Sequence, residues 1–259
     1  MDLGLKGKSA LVAAASKGIG RACALGLASE GVRVAICART ERDIGAAAED
    51  IRGRTGAEVL AAACDVTRPA DVERFVARTI ERFGQIDILV ANAGGPARGD
   101  FDEASDEQWA QAFELSLMSV VRLIRAVVPS MRQRRWGRII AVQSSSVKQP
   151  IPGLLLSNAM RPAAAGLLKT LSIELGRDNI LLNTVCPGRI MTERFLAGRA
   201  QAGTSVEAYV ATQVTDVPLG RIGTPEEFAN LVVFLASERA SYITGTAIQV
   251  DGGLVRGLL

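Results

Sequence analysis

The stretch that decides the fold lies near the amino terminus and reads SALVAAASKGIG at residues 9–20. Ser9 to Ala14 is a short apolar run typical of a buried strand, and a helical pattern follows from Ala22 to Glu30. Gly18 and Gly20 let the turn between strand and helix bring its backbone close to a ligand. A helix that begins in such a turn offers free N–H groups and a favourable dipole to an anion. The stretch therefore predicts a strand, a tight turn and a helix that together bind a phosphate.

The same order of strand and helix repeats along the rest of the chain. Further strands are predicted at residues 32–38, 58–63, 86–91, 137–142, 180–186 and 247–250. The helices are predicted at residues 41–54, 68–83 with Thr67 as N-cap, 106–134, 163–175 and 225–236. Apolar strands that alternate with helices indicate a parallel sheet with helices on both faces. With right-handed crossovers this is a Rossmann-like, doubly wound α/β fold of about seven strands, with its ligand at the carboxyl ends of the strands.

The chain shows no linker, composition shift or internal repeat, so residues 1–259 are expected to form a single domain. Residues 193–215 have weak periodicity and are expected to be irregular. We expect the slightly longer segment 193–219 to act as a lid over the substrate.

Composition argues against several classes of function. The net charge is only +3 and no basic block occurs, so nucleic acid is not an expected partner. The chain has no histidine, which removes the commonest general base and metal ligand, and no metal site is expected. The four cysteines are scattered, as expected of buried thiols in a reducing cytosol. We find no signal-peptide pattern and no apolar run of membrane-spanning length, which predicts a soluble cytoplasmic protein without a membrane partner.

Several motifs in the right order resemble the short-chain dehydrogenase/reductase family from Leu5 to Gly253. The motifs are Ala13 to Gly20 for the family's Thr-Gly-x-x-x-Gly-x-Gly, Asp65-Val66, Asn92-Ala93-Gly94, Asn183, Pro187-Gly188 with Thr192, Gly223 to Glu227, Tyr242 to Gly245, and Asp251 to Gly253. The resemblance implies an oxidoreductase that uses a nicotinamide cofactor on a small-molecule carbonyl or alcohol, similar to a 3-oxoacyl reductase. It also implies a homodimer or homotetramer assembled through the two long helices.

The resemblance assigns the cofactor site. The implied contacts are Ala14, Ser16, Lys17, Gly18, Ile19, Gly20, Asp65, Val66, Asn92, Ala93, Gly94, Arg161, Pro187, Gly188 and Thr192. Folds that prefer NAD carry an acidic residue at the end of the second strand, but Ala38 stands there, followed by Arg39. Arg39 and Lys17 suit a 2′-phosphate, so NADP(H) is favoured over NAD(H), although an isolated arginine at a helix start is often only solvated.

The catalytic positions depart from the family pattern. The family's Ser, Tyr, Lys and Asn fall on Ser144, Ser157, Arg161 and Ser116, so only the serine is kept. A neighbouring cation can bring a phenol with a pKa near 10 towards neutrality, but it cannot do so for an alkyl hydroxyl. Ser157 is therefore expected to bind or relay a proton. Pro162 is expected in the first turn of a helix capped by Ser157 or Asn158.

Two functions remain open at this point. The first is an NADP(H)-dependent oxidoreductase in which Ser144 binds the substrate oxygen and Ser157 with water, or Lys148, relays the proton. The alternative is a non-redox or catalytically inactive NADP-binding homologue, acting as a sensor, a scaffold or a partner subunit. Tyr209 is a further candidate if the lid carries it to the site, and Arg98 is either a surface residue or a contact for an anionic group.

Overall fold

Seven strands form one parallel sheet in the order β3-β2-β1-β4-β5-β6-β7. The computed structural model describes residues 1–258, and for 200–202 it describes the backbone alone. The strands are β1 Ser9–Val12, β2 Arg33–Ala38, β3 Val59–Ala63, β4 Ile88–Ala91, β5 Gly137–Val142, β6 Ile180–Pro187 and β7 Ala247–Val250. The order reverses between β1 and β4, and this is where ligands bind in doubly wound sheets. The predicted fold class is therefore confirmed.

The helices cover both faces of the sheet. They are α1 Gly18–Ser29, α2 Glu41–Thr55, α3 Pro69–Phe83, α4 Asp106–Phe113, α5 Ser119–Arg134, α6 Leu155–Leu175, α7 Glu193–Ala202, α8 Val206–Gln213 and α9 Pro225–Ala236. Successive strand residues point to opposite faces, so Val12 packs with α1, α2 and α9, whereas Leu11 packs with α3, α5 and α6. No helix within residues 1–258 is both long and apolar enough to cross a membrane.

The predicted start of α6 was wrong. The helix begins at Leu155, so Pro162 lies in its interior and not in its first turn. A proline removes one helical hydrogen bond, and burial of Leu156, Ala164 and Leu168 on the same helix offsets that loss. Asn158, predicted as a cap of this helix, does not cap it. Its side chain instead accepts from the N–H of Ile151 and donates to the carbonyl of Ile151. The early start keeps residues 157 and 161 one helical turn apart.

Three further expectations need correction. Residues 193–215, predicted as irregular, contain the helices α7 and α8, capped by the side chains of Thr192 and Ser205. Thr67 does not cap α3, because Arg68 holds the N-cap position and Thr67 bonds Asp65 instead. The helix predicted at residues 106–134 is divided by a π turn at Glu114–Met118. Short polar caps and wide turns leave little trace in hydrophobic periodicity, which explains these differences.

Candidate active site

A cleft of about 1560 Å³ opens at the carboxyl ends of the strands. Its wall includes the residues that follow strands β1 to β6, where the chain turns from sheet to helix. These residues are Ala14, Arg39, Asp65, Asn92, Ser144 and Gly188. Parallel strands present their carboxyl ends at one edge of the sheet, so residues far apart in sequence meet here.

The glycine turn after β1 has the shape of a phosphate cradle. Gly18 has φ +56°, and Ala14, in place of the family glycine, has φ +49°. A Cβ on Gly20 would lie 2.3 Å from the carbonyl oxygen of Ala14, so this close approach requires glycine. Asn92 Nδ2 donates to the carbonyls of Ala13 and Ala14 at 3.2 Å each and holds the turn against β4. The first turn of α1 carries no acidic residue, and a pyrophosphate therefore fits its N-terminus.

The far end of the cleft carries the groups expected to meet the adenosine half of the cofactor. Asp65 Oδ1 accepts from the Thr67 N–H at 3.0 Å and from its hydroxyl at 2.7 Å. Burial acts to raise the pKa of Asp65, but the Thr67 hydrogen bonds together with Arg39 and Arg68 hold that pKa below its ordinary value. Val66 lies beside it on the cleft wall. Arg39 is exposed on the rim and forms no ion pair within the described part of the chain, so it is available to an anion.

Three serines lie together where β5 ends, and the hydroxyls of two of them are in contact. Ser144 caps a one-turn helix at residues 145–147, and its Oγ accepts from the Ser146 N–H at 3.1 Å. Ser157, 7 % exposed on α6, places its Oγ 3.3 Å from that of Ser146. Ser144 and Ser157 both line the cleft. Sequence reasoning missed Ser146 as the link between them, because only the tertiary fold brings it to residue 157.

Arg161 on α6 hydrogen-bonds to the end of β5 and to the segment after β4. Its Nη1 donates to the Val142 carbonyl at 3.1 Å and to Gln143 Oε1 at 3.3 Å, and its Nη2 donates to the Gly94 carbonyl at 3.0 Å. Burial, followed by the nearby Arg194, lowers the pKa of Arg161 to about 10. The Nε atom has no partner within residues 1–258. Sequence reasoning also missed Gln143, which lines the cleft and orients this guanidinium.

Two predicted residues lie away from the cleft wall. Ser116 sits in the π turn, is 1 % exposed and has no hydrogen-bond partner for its hydroxyl in the described chain. Lys148 is not part of the lining. The structure thus brings Ser144, Ser157 and Arg161 together and places Ser116 behind them. π turns are frequent at functional sites, so Ser116 stays a candidate for a functional role.

The first residues of α7 reach both walls of the cleft. Glu193 Oε2 lies 2.7 Å from Lys17 Nζ in the glycine turn. Arg194 donates to the carbonyls of Gly95 at 3.1 Å and Pro96 at 3.0 Å. A Cβ on Gly95 would lie 2.6 Å from Arg194 Nη2, so a larger residue there would displace the guanidinium. Nothing in the sequence indicated a role for Arg194.

The remaining predicted cofactor contacts lie on the same wall. They are Ser16, Ile19, Ala93, Gly94, Pro187, Gly188 and Thr192. Gly188 packs against the end of β7, where a Cβ would lie 2.6 Å from that of Asp251. Tyr209 also lines the cleft, with its ring 5.2 Å from that of Phe195.

Comparisons with known proteins agree with this geometry. Residues 13–255 match the family model described as Enoyl-(Acyl carrier protein) reductase. Dehydrogenase/reductase SDR family member 4 of Homo sapiens is 36% identical over 252 residues, which cover 96% of this chain and 88% of that protein. The crystal structure of L-sorbose reductase from Gluconobacter frateurii, complexed with NADPH and L-sorbose, has a TM-score of 0.96 and 37% identity, with 100% of both chains covered. An NADPH-bound short chain oxidoreductase from Pseudomonas aeruginosa PAO1, described as containing an atypical catalytic center, has a TM-score of 0.91 and 32% identity, with 96% of this chain and 97% of that one covered.

Proposed function

The chain belongs to the short-chain dehydrogenase/reductase family, and on that premise we propose what its cleft does. It is an NADP(H)-dependent oxidoreductase that reduces a carbonyl group or oxidises an alcohol. The observation that carries this function is that the predicted cofactor contacts and Ser144 line one cleft. Similarity over the full chain to NADPH-bound reductases supports the same function.

NADP(H) would be held along the carboxyl ends of the strands. Gly18, Gly20 and the start of α1 would bind the pyrophosphate, and Lys17 with Arg39 would bind the 2′-phosphate. Asp65 and Val66 would face the adenine. Ala14, Ser16 and Ile19 belong to the same glycine turn as the pyrophosphate site. The nicotinamide half would contact the other predicted residues, which are Asn92, Ala93, Gly94, Arg161, Pro187, Gly188 and Thr192. When bound, the cofactor supplies or accepts the hydride.

Ser144 would bind the substrate oxygen. Its Oγ accepts from the Ser146 N–H at 3.1 Å, so its own proton is left to donate. A hydrogen bond from that proton to a carbonyl oxygen stabilises the negative charge that develops there during hydride addition. The helical cap at residues 145–147 fixes the hydroxyl before substrate arrives.

The proton would pass through Ser157. An unassisted alkyl hydroxyl is too weak an acid to be the source, so Ser157 acts as a relay between the substrate oxygen and Ser146 or water. Arg161, four residues further along α6, adds a fixed positive charge next to this relay. Lys148 is the less suitable route, since it does not line the cleft.

The alternative, an inactive or non-redox NADP-binding homologue, rests on the replaced tyrosine, lysine and asparagine. The neighbour from Pseudomonas aeruginosa is itself named an oxidoreductase with an atypical catalytic center. An unusual centre therefore does not by itself favour the alternative. No contact in the cleft favours it either, within the part of the chain described.

Three further predictions belong to this proposal. Residues 193–219 act as a lid, supported by the contacts of Glu193 and Arg194 with both walls. The chain assembles as a homodimer or homotetramer, supported by the exposed Phe113 on α4 and Ile173 on α6, 41% and 74% exposed. We also retain the prediction of a cytoplasmic protein that acts on a small molecule.

The test begins with calorimetric titration of NADPH and NADH into the purified protein. We expect NADPH to bind more tightly, and we expect NADPH oxidation with a panel of ketones to yield the matching alcohols. Ser144→Ala should lower turnover by about a hundredfold or more without changing NADPH affinity, whereas Ser241→Ala, at an exposed serine far from the cleft, should change neither. Binding without turnover of any ketone, or unchanged turnover of Ser144→Ala, would contradict the proposal.

A further inference from the structure

We call the part of the cleft wall around Ser144, the π turn and the proposed lid the substrate half. Each carboxylate described there is paired with a cation. Each lies on the cleft wall and has an arginine or lysine within 3 Å. The pairs are Glu114 with Arg122 at 2.6 Å, Glu193 with Lys17 at 2.7 Å, and Asp216 with Arg189 at 2.9 Å. Within the described residues Glu114 and Asp216 thus keep their own cations, whereas Glu193 shares Lys17 with the proposed 2′-phosphate.

Three arginines in the same half have no such partner. Arg98 follows β4, Arg161 lies on α6 and Arg194 on α7, and all three line the cleft. None has a carboxylate oxygen within 4.0 Å in residues 1–258. Arg161 and Arg194 bond only carbonyl and amide oxygens, which satisfy donors without cancelling charge. Arg98 is exposed and makes no hydrogen bond within the described chain.

Arg194 lies between the other two arginines in electrostatic terms, because it repels both Arg161 and Arg98. Besides burial, Arg194 lowers the pKa of Arg161, and Arg98 in turn lowers the pKa of Arg194. Like charges in a cleft with low-dielectric walls focus a positive field on its interior. That arrangement costs free energy in the empty protein and is relieved when an anion enters.

The phosphates of the proposed cofactor do not supply that anion. The pyrophosphate fits the N-terminus of α1, and the 2′-phosphate fits Arg39 after β2 and Lys17 in the glycine turn. Arg161 and Arg194 instead bond the carbonyls of Gly94, Gly95 and Pro96, and Arg98 follows that segment in the chain. All three line the same cleft as Ser144 and Ser157. An anionic group beside the reacting carbon would lie among them.

We infer that the substrate carries an anionic group, a carboxylate or a phosphate monoester, which Arg98 and Arg194 bind while its carbonyl or hydroxyl meets Ser144. The inference rests on the proposed oxidoreductase function. Arginine's planar fork matches both anions, so the shared chemistry is a bidentate oxyanion. In the reducing direction hydride adds to the carbonyl carbon, a proton adds to its oxygen, and NADPH becomes NADP⁺. The anionic group is unchanged.

The test compares ligands that differ only in charge. Acetoacetate is paired with methyl acetoacetate, and dihydroxyacetone phosphate with dihydroxyacetone, which separates carboxylate from phosphate. Affinity is measured by calorimetry with NADP⁺ present, because the oxidised cofactor cannot reduce a ketone and binding is seen without turnover. Turnover is measured separately with NADPH. The variants are Arg98→Gln and Arg194→Gln, with Arg78→Gln on the exposed face of α3 as the matched control.

We expect one charged member to bind at least tenfold more tightly than its neutral partner in the wild-type protein. Arg98→Gln and Arg194→Gln should each weaken that binding roughly ten- to a hundredfold and raise KM rather than lower kcat. Arg78→Gln should change nothing. Equal affinity for charged and neutral members overturns the inference, and so does a loss in Arg194→Gln that falls only on NADPH affinity.

The outcome for the substrate is distinguishable from that for the proposed function. If neutral ketones are reduced as efficiently as charged ones, the oxidoreductase function is supported and the anion site is contradicted. If the charged ligands bind through Arg98 and Arg194 but no ligand is ever reduced, the anion site stands and the redox function falls.

Discussion

Lys17 and Glu193 form an ion pair, with Nζ 2.7 Å from Oε2, that joins the glycine turn to the first residue of α7. Both side chains are exposed, by 61% and 66%, so solvent screens the pair and its contribution is small. The hydrogen bond that Lys17 donates to Glu193 is the main cause that raises the pKa of Lys17, so the ammonium stays charged. The proposed ligand of that ammonium, a 2′-phosphate, must therefore compete with a carboxylate already in place.

Glu193→Gln is expected to tighten NADPH binding. Removing the carboxylate removes a competitor for Lys17 and one negative charge near the phosphate, and an exposed pair of this kind corresponds to roughly a two- to fivefold change in Kd. NADH lacks the 2′-phosphate, so its affinity should change less. Calorimetric titration of both cofactors measures the difference.

Glu207→Gln provides the matched control, because Glu207 is an exposed acid in the first turn of α8. It should leave both affinities unchanged. The double variant Lys17→Gln with Glu193→Gln should bind NADPH like Lys17→Gln alone. Weaker NADPH binding by Glu193→Gln would show that the pair assists the cofactor by holding the lid, contrary to the competition described.

Tyr209→Phe is expected to leave kcat within about twofold of the wild-type value. Tyr209 lines the cleft, but its hydroxyl lies against Gly198 of α7, where a Cβ would be 2.4 Å away, and its ring packs on Phe195. A general acid contributes about a hundredfold or more, so steady-state kinetics separate the two cases clearly. Tyr242→Phe, at a fully exposed tyrosine, is the control. A hundredfold loss confined to Tyr209→Phe would make this phenol the proton donor and would displace Ser157.

Glu227 gives the fold a predictable sensitivity to acid. Glu227 accepts two hydrogen bonds from Arg221, at 2.6 and 2.9 Å, and one from the Thr224 N–H at 2.8 Å. These bonds lower the pKa of Glu227 to about 2. A carboxyl whose folded pKa is depressed adds stability at pH values above its unfolded pKa, and this is lost as the pH falls towards the folded pKa. The affected window therefore runs from about pH 4.5 down to about pH 2.

Glu227→Gln should flatten the loss of stability across that window. Urea unfolding of the wild-type protein at pH 7 and pH 3 should show a larger drop in the free energy of unfolding than the variant shows. Glu226→Gln, in the same first turn of α9 but without an arginine partner in the described chain, should behave like the wild type. An equal drop in Glu227→Gln would mean that other carboxyls account for the acid sensitivity.

The sheet was readable from the sequence because its strands follow local patterns. The predicted cofactor contacts, taken from the family resemblance, lie together on one cleft and stay a prediction. Three elements have the predicted bounds, namely the strands at 137–142 and 247–250 and the helix at 225–236. Apolar runs mark the two strands, and a Thr-Pro pair marks the start of the helix. The start of α6 was not readable, because the rule that proline belongs in a first turn was overridden by packing of Leu156 and Leu168. Local propensity is a weak prior where tertiary burial is strong.

For the proposed catalytic residues, the sequence predicted only which positions depart from the family pattern. Counting along the chain located Ser144, Ser157 and Arg161, but it gave no sign that Ser146 joins the two serines. It also could not show Arg194 crossing to Gly95, because that contact depends on how α7 folds back over the loop after β4. Such pairings arise from topology, and a single sequence carries no local signal for them.

Ala14 offers a test of the glycine turn that is independent of catalysis. Its φ of +49° lies in the left-handed region, which costs an alanine about 1–2 kcal/mol, and the family motif has glycine at this position. Glycine adopts that conformation freely but loses about 0.5–1 kcal/mol of chain entropy on folding. Ala14→Gly should therefore raise the free energy of unfolding by roughly 0.5–1 kcal/mol, measured by urea denaturation.

Ala15→Gly is the matched control one residue along. Ala15 is fully buried and does not have a positive φ, so glycine there loses packing and entropy without relieving strain. It should lower stability by about 1 kcal/mol or more. NADPH affinity of Ala14→Gly should equal or exceed that of the wild type, because the turn keeps its shape with less strain. If Ala14→Gly destabilises as much as Ala15→Gly, the left-handed alanine stores no strain and the cradle tolerates a Cβ at no cost.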